Sequence, residues 1–252
     1  LDVPYVELDC HFVGLNHLSF MDHAWHKGVD RLKEVLAVDD SAGLVKNFEK
    51  IDEVDELARV YGLMPSPYMQ YFYFETDMVK EEKEKMASGE GTRAEQVMKV
   101  EADLFEKYKD PNLNEKPEEL SLRGGSRYSE AAIHLIDSIH NDVRDIQVVN
   151  VVNGRTFTEL PEDAVIETNC VIGSNGATPL VSDPLPKQVK GLMQQVKIYE
   201  QYTIEAAVTG DRMVALTALM NNPLVHNARD AKALFEELVE GHSPYLDYFK
   251  GQ

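Results

Sequence analysis

A short apolar run, Phe12 to Leu15, ends on Asn16 and His17, and this step carries more chemical information than any other in the chain. A neutral imidazole at such a place can ligate a soft or borderline metal. It can equally be a packed histidine at the end of a strand, and spacing leaves both readings open. The two cysteines, Cys10 and Cys170, lie far apart with neither metal-type nor redox-type spacing. They read as free thiols of a reducing cytoplasm. His23 and His26 flank Trp25, but their spacing on a strand-to-turn segment argues against a second metal site. Gly124-Gly125 and Gly173-Ser-Asn-Gly176 do not fit a dinucleotide fingerprint, and no P-loop, H-E-x-x-H, G-x-S-x-G or EF-hand pattern occurs.

The length, 252 residues, suffices for one large domain or two small ones. With 43% hydrophobic and 27% charged residues the composition is that of an ordinary globular chain. No apolar run reaches the roughly 18 residues needed to cross a bilayer. Leu1 to Glu7 lacks the basic and apolar regions of a signal peptide. The absence of a starting Met leads us to expect a fragment or a processed form. The net charge of −19 argues against nucleic acid and against anionic membrane surfaces as partners. An anionic substrate would have to be met by a local cationic site against the field of the whole chain.

These residues must be positioned by the elements around them. Alternation over Val6 to Phe12, and again over Leu18 to Trp25, predicts short strands. Helical spacing of Leu44, Phe48, Ile51, Val54 and Leu57 predicts a helix in the stretch from Ala42 onward, broken at Pro65-Ser-Pro67. An aromatic cluster follows, Tyr68, Tyr71, Phe72, Tyr73 and Phe74. A second helix is expected over 92–109. A third follows Arg123-Gly124-Gly125-Ser126, capped by Ser126 or Ser129, with Ala131, Ile133, Leu135, Ile136 and Ile139 facing inward. The period then becomes two. Strands are expected at Asp145 to Val152, Thr156 to Leu160 and Ala164 to Ile172, with a hairpin turn at Asn153-Gly154 and another at Ser174-Asn175-Gly176. Three helices close the chain, at about Leu185 to Thr209, Asp211 to Met220 and Ala228 to Glu240. No repeat and no linker demands a domain cut. The fold class expected is α+β, helices around a small antiparallel sheet.

Several segments occur in a telling order: Gly14-Leu-Asn-His17, Pro67-Tyr68-Met-Gln-Tyr71-Phe72, Arg93-Ala94, Arg123-Gly-Gly-Ser-Arg-Tyr128-Ser129 and Glu205-Ala-Ala-Val-Thr-Gly210. Together they resemble the C-terminal half of glycoside hydrolase family 4, the NAD- and metal-dependent glycosidases, and within it the 6-phospho-β-glucosidases. The resemblance runs from about Val3 to Leu246. It implies a second-domain fold like that of lactate and malate dehydrogenases. It further implies that residues 1–252 are the C-terminal catalytic and substrate domain, with an NAD-binding Rossmann domain and a cysteine metal motif upstream.

The chemistry implied by the family is oxidation followed by elimination rather than two-carboxylate hydrolysis. NAD⁺ takes hydride from C3, the C2 proton becomes acidic, a base removes it, the C1–O bond breaks, water adds and hydride returns. A divalent metal, Mn²⁺, polarises the C3 oxygen. On this resemblance His17 is the metal ligand, with Asn16 fixing its surroundings and contributing to substrate binding. Tyr68 is the base, provided its phenol is made more acidic than usual. Arg93 meets the phosphate of the phosphorylated disaccharide, a role suited to a guanidinium fork. Arg123 is open between structural and functional roles. The resemblance implies a cytoplasmic homo-oligomer, with the long helix at Leu185 to Thr209 as a subunit surface. The isolated chain, lacking NAD and one metal ligand, is expected to be inactive. Two alternatives stand beside this reading. One is another family specificity, 6-phospho-α-glucosidase, α-galactosidase or α-glucuronidase. The other is an oligomerisation or interaction domain without activity of its own.

Overall fold

A computed structural model describes residues 3, 7–37, 52–122, 128–180 and 184–250. Strands form at both expected places, the first shifted from Val6–Phe12 to Asp9–Leu15, and together they make a hairpin. Strand β1 (Asp9–Leu15) and strand β2 (Leu18–His26) are joined by the two-residue turn Asn16-His17. Their inner halves, Val13 and Leu15 on β1 and Leu18 and Phe20 on β2, are buried. Strand β3 (Val29–Asp30) pairs antiparallel with the end of β2. Helix α1 (Leu32–Leu36) follows and was not foreseen; Leu32 and Leu36 bury against Met21, Ala24 and Ala58.

Helix α2 (Asp52–Tyr61) stops at Gly62, whose φ of 67° only glycine adopts freely, and so ends before the expected break at Pro65. The anticipated apolar positions Leu44, Phe48 and Ile51 lie outside the described residues. Strand β4 (Met64–Pro65) pairs antiparallel with β2, Phe20 opposite Pro65 and Met21 opposite Met64. A single 3-10 turn, Pro67–Met69, leads into helix α3 (Gln70–Tyr73) and helix α4 (Glu75–Ser88). Helix α5 (Arg93–Lys107) starts on a reciprocal capping box between Thr92 and Glu95.

Helix α6 (Tyr128–Asn141) starts after the Arg123–Arg127 stretch, which lies outside the described residues together with Ser126. Ser129 lies inside the helix, at its second residue, and so is not the residue that precedes it. The inward apolar face expected for α6 is not inward: Ile133 is 66% and Ile136 60% exposed. The helix instead turns a polar edge to strand β5 (Asp145–Val152), where Gln147 Nε2 donates to Ser138 Oγ at 2.8 Å.

The expected strand at Thr156 to Leu160, and the two-residue hairpin at Asn153-Gly154, are replaced by a loop. Asn153 is the reason. Its buried amide donates to the carbonyls of Phe157, Leu160 and Pro161 and accepts from the Phe157 amide, so the backbone closes on a side chain instead of on a ladder. Strand β6 (Val165–Gly173) and strand β7 (Gly176–Pro179) then form the hairpin foreseen at Ser174-Asn175. One sheet, ordered β3-β2-β1-β6-β5 with β4 on β2 and β7 on β6, joins both groups of strands that the sequence shows separately. Helices α7 (Lys187–Thr209), α8 (Arg212–Asn221) and α9 (Ala228–Gly241) complete the chain, the last running through Gly241 rather than ending before it.

The chain divides into two compact units. One holds Leu1–Val13, His17–Val149 and Thr168–Leu180; the other holds Gly14–Asn16, Asn150–Glu167 and Val181–Gln252. Leu185, Val189 and Met193 of the second unit are buried, and in its helical cluster of Ala206, Leu216, Phe235, Val239 and Phe249 the rings of Phe235 and Phe249 meet edge to face. Among the described residues no helix is long and apolar enough to cross a membrane.

Candidate active site

His17 sits at the tip of the β1–β2 turn with φ of 62°, a left-handed conformation that side-chain-bearing residues adopt at a cost. Such strain persists where the surroundings impose it. Here the flanking Leu15 and Leu18 are both buried, while the imidazole itself is exposed. Neighbouring Asn16, also exposed, donates its amide to Glu167 Oε2 at 3.4 Å. Glu167 was not singled out by sequence, since a glutamate alternating on a strand carries no distinguishing signal.

Tyr68 reaches His17 from a distant part of the sequence. The pairing of β4 on β2 is extended by Ser66, whose amide donates to the Ser19 carbonyl at 2.9 Å. The next places in the same register are Leu18 with Pro67 and His17 with Tyr68. The hydrogen bonds stop, but the alignment continues: the His17 and Tyr68 rings lie 4.1 Å apart between centroids, tilted by 59°. Met69, fully buried, anchors the turn that carries Tyr68.

Two further phenols lie close by. Tyr71 lies 6.5 Å from Tyr68, and burial, followed by the nearby Tyr68 and Glu82, pushes its pKa up. Tyr73 is raised much further by burial and by its hydrogen bond with Tyr61, against which it packs edge to face. Both are held neutral across the ordinary pH range and are poor bases. Tyr71 is 41% exposed.

Arg93 opens α5 and is exposed; its Nη2 donates to the Leu122 carbonyl at 3.0 Å. That contact brings it beside the segment that continues into Arg123-Gly124-Gly125, itself outside the described residues. The positive end of α5 is already met by Glu95, so any anion here would be held by the guanidinium rather than by the helix dipole. Burial raises the thiols of Cys10 and Cys170, both free. That makes them poor ligands and poor nucleophiles.

Mn²⁺ suits an exposed imidazole in kind. In number it does not: among the described residues no group of three or more His, Cys, Asp or Glu side chains could hold a metal ion. The chain offers His17 as a single ligand, not a cage.

Known proteins match this chain in sequence and in fold. Residues 12–225 match the model of the family 4 glycosyl hydrolase C-terminal domain. The chain is 41% identical over 252 residues to a probable 6-phospho-β-glucosidase of Bacillus subtilis, covering 99% of this chain and 57% of that protein. It is 35% identical over 248 residues to the 6-phospho-β-glucosidase of Escherichia coli, covering 96% and 55%. A solved 6-phospho-β-glucosidase from Thermotoga maritima, with manganese, NAD⁺ and glucose 6-phosphate, superposes with a TM-score of 0.80 at 34% identity, covering 95% of this chain and 55% of that one. The chain thus spans about half the length of the relatives it matches. By its matched residues and its fold, the chain belongs to family 4 of the glycosyl hydrolases and corresponds to their C-terminal domain.

Proposed function

We propose that this chain, residues 1–252, is the catalytic and substrate-binding portion of a 6-phospho-β-glucosidase, and that the whole enzyme hydrolyses phosphorylated β-glucosides such as cellobiose 6-phosphate. The observation that carries the reading is the apposition of an exposed imidazole and a phenol, His17 and Tyr68, in a family 4 fold. NAD and Mn²⁺, when bound, supply hydride transfer at C3 and polarisation of the sugar oxygen. His17 is one metal ligand, and the remaining ligands and the NAD site belong to parts of the enzyme outside the described residues. Tyr68 takes the C2 proton, Asn16 contributes to the sugar site, and Arg93 meets the phosphate with a guanidinium whose geometry suits it. The setting is the cytoplasm and the assembly a homo-oligomer; exposed Ile204 and Val208 on α7 support a subunit surface there.

The test uses the whole enzyme with NAD⁺, Mn²⁺ and a chromogenic 6-phospho-β-glucoside in D₂O. Turnover with deuterium appearing at C2 of the product supports the reading. Turnover without C2 exchange, or preference for the 6-phospho-α-glucoside, overturns the base or the specificity respectively. The chain alone is inactive in the same assay.

A second reading, an interaction domain without chemistry, draws on the exposed Ile133 and Ile136 of α6. Loss of turnover in a whole enzyme carrying Tyr68→Phe removes it.

A further inference from the structure

We propose that Pro65-Ser66-Pro67 is a positioning strap, and that the Ser66 backbone amide sets the register that brings Tyr68 against His17. This rests on the functional reading above only for its catalytic consequence. Of the three residues in the strap, proline at two leaves a single amide hydrogen. That hydrogen goes to the Ser19 carbonyl, continuing the β2–β4 register by one step beyond Phe20 and Pro65. The Ser66 carbonyl in turn accepts from the Met69 amide at 2.9 Å and closes the turn bearing Tyr68. The Ser66 side chain makes no capping bond. Pro67 occupies the first position of the turn, where a fixed φ is an advantage. Two rigid residues and one hydrogen bond therefore transmit the ladder register to the two reacting groups. A free amide at Pro65 or Pro67 would add nothing to this register, whereas loss of the one at Ser66 unpins it.

The backbone at Ser66, φ −58° and ψ 143°, is one that proline adopts readily, and it also suits a residue that precedes proline. Ser66→Pro therefore deletes the amide hydrogen without asking for a new conformation, and Ser66→Ala deletes only the hydroxyl. The 252-residue chain is examined by NMR, following the His17 ring protons, which the Tyr68 ring current displaces, and exchange of the Ser66 amide. The expected result is a protected Ser66 amide, an unchanged His17 displacement in Ser66→Ala, and its collapse in Ser66→Pro with core methyl resonances in place. A His17 displacement retained in Ser66→Pro, or rapid exchange of the Ser66 amide, overturns the proposal. Should Ser66→Pro fail to fold, the Ser66 amide of the unaltered chain decides: slow exchange together with a displaced His17 ring supports the strap, and rapid exchange with the same displacement overturns it.

In the whole enzyme, Ser66→Pro is expected to lower kcat at least tenfold with KM within twofold and to move the pH profile of kcat; Ser66→Ala restores both. A parallel fall in KM and kcat, or a wild-type profile, overturns positioning. If the unmodified enzyme cleaves no 6-phosphoglucoside, the functional reading fails while the NMR result still decides the strap.

Discussion

His17 and Tyr68 occupy facing places of a two-strand register whose hydrogen bonds end two steps earlier, at Ser19 and Ser66, and their rings meet at 4.1 Å. The pair is thus set by backbone geometry on one side and by a strained turn residue on the other.

The turn strain separates a ligand from a packing residue. His17 holds φ of 62° while exposed, so replacement by glycine relieves a backbone cost and gives up the ring contact with Tyr68. We expect His17→Gly to leave the unfolding free energy unchanged or raise it by about 0.5–1 kcal/mol in urea, while abolishing Mn²⁺-dependent activity of the whole enzyme. A loss of about 2 kcal/mol would identify a structural histidine instead.

Tyr68 loses only its hydroxyl in Tyr68→Phe, and the ring contact with His17 remains. Removal of a general base typically costs 10²–10⁴ in rate, so kcat should fall by about that factor with little change in melting temperature. Tyr71→Phe should change kcat by less than about threefold, because Tyr71 is held neutral by burial and by the neighbouring Tyr68 and Glu82. Comparable losses for both would assign the base incorrectly.

Arg93 tests the phosphate contact. Arg93→Lys keeps the charge but not the fork, and Arg93→Ala removes both. A charge-assisted bond lost at about 1.5–3 kcal/mol corresponds to a rise in KM of roughly 10- to 100-fold for Arg93→Ala. The rise should be smaller for Arg93→Lys, and inhibition by glucose 6-phosphate should weaken in proportion. Unchanged KM in both variants removes Arg93 from the site.

Asp142 governs acid behaviour at the α6–β5 connection. Hydrogen bonds from Arg144, then from the Ser174 amide, hold its carboxyl at about 2. A carboxyl depressed in the folded state contributes stability that is complete above its ordinary value and fades as pH falls towards the folded one. Asp142→Asn should therefore lower stability at pH 6 but narrow its difference from the unaltered chain between pH 4 and about pH 2, followed by urea titration at each pH. Gly173→Ala places a Cβ 2.6 Å from Asp142 Oδ1 and should disturb the same pair.

Asn153 is the remaining structural test. Its amide serves four backbone groups of the loop around the buried Phe157. Asn153→Ala takes that partner from the Leu160 carbonyl and the Phe157 amide, while the Phe157 and Pro161 carbonyls keep the amides of Leu160 and Ala164, and should cost about 1–3 kcal/mol in denaturant. A cost below 1 kcal/mol would mean that water replaces the side chain readily.

Local pattern alone determined much. Alternation gave β1 and β2, helical spacing gave α5, α7, α8 and α9, and Ser174-Asn175-Gly176 gave its turn, because backbone period and turn chemistry act over a few residues. The ordered set of Asn16-His17, Pro67-Tyr68 and Arg93 identified the family, since such a constellation is a property of the chain itself. Asn153-Gly154 misled, because a buried amide with four partners outweighs a local hairpin preference. The outward Ile133 and Ile136 misled because helical spacing tells which residues share a face, not what that face meets. The joining of both strand groups into one sheet, and the meeting of His17 with Tyr68, were decided by tertiary structure: both depend on which strand lies beside which, and pairing between segments far apart in the chain leaves no periodic mark in sequence.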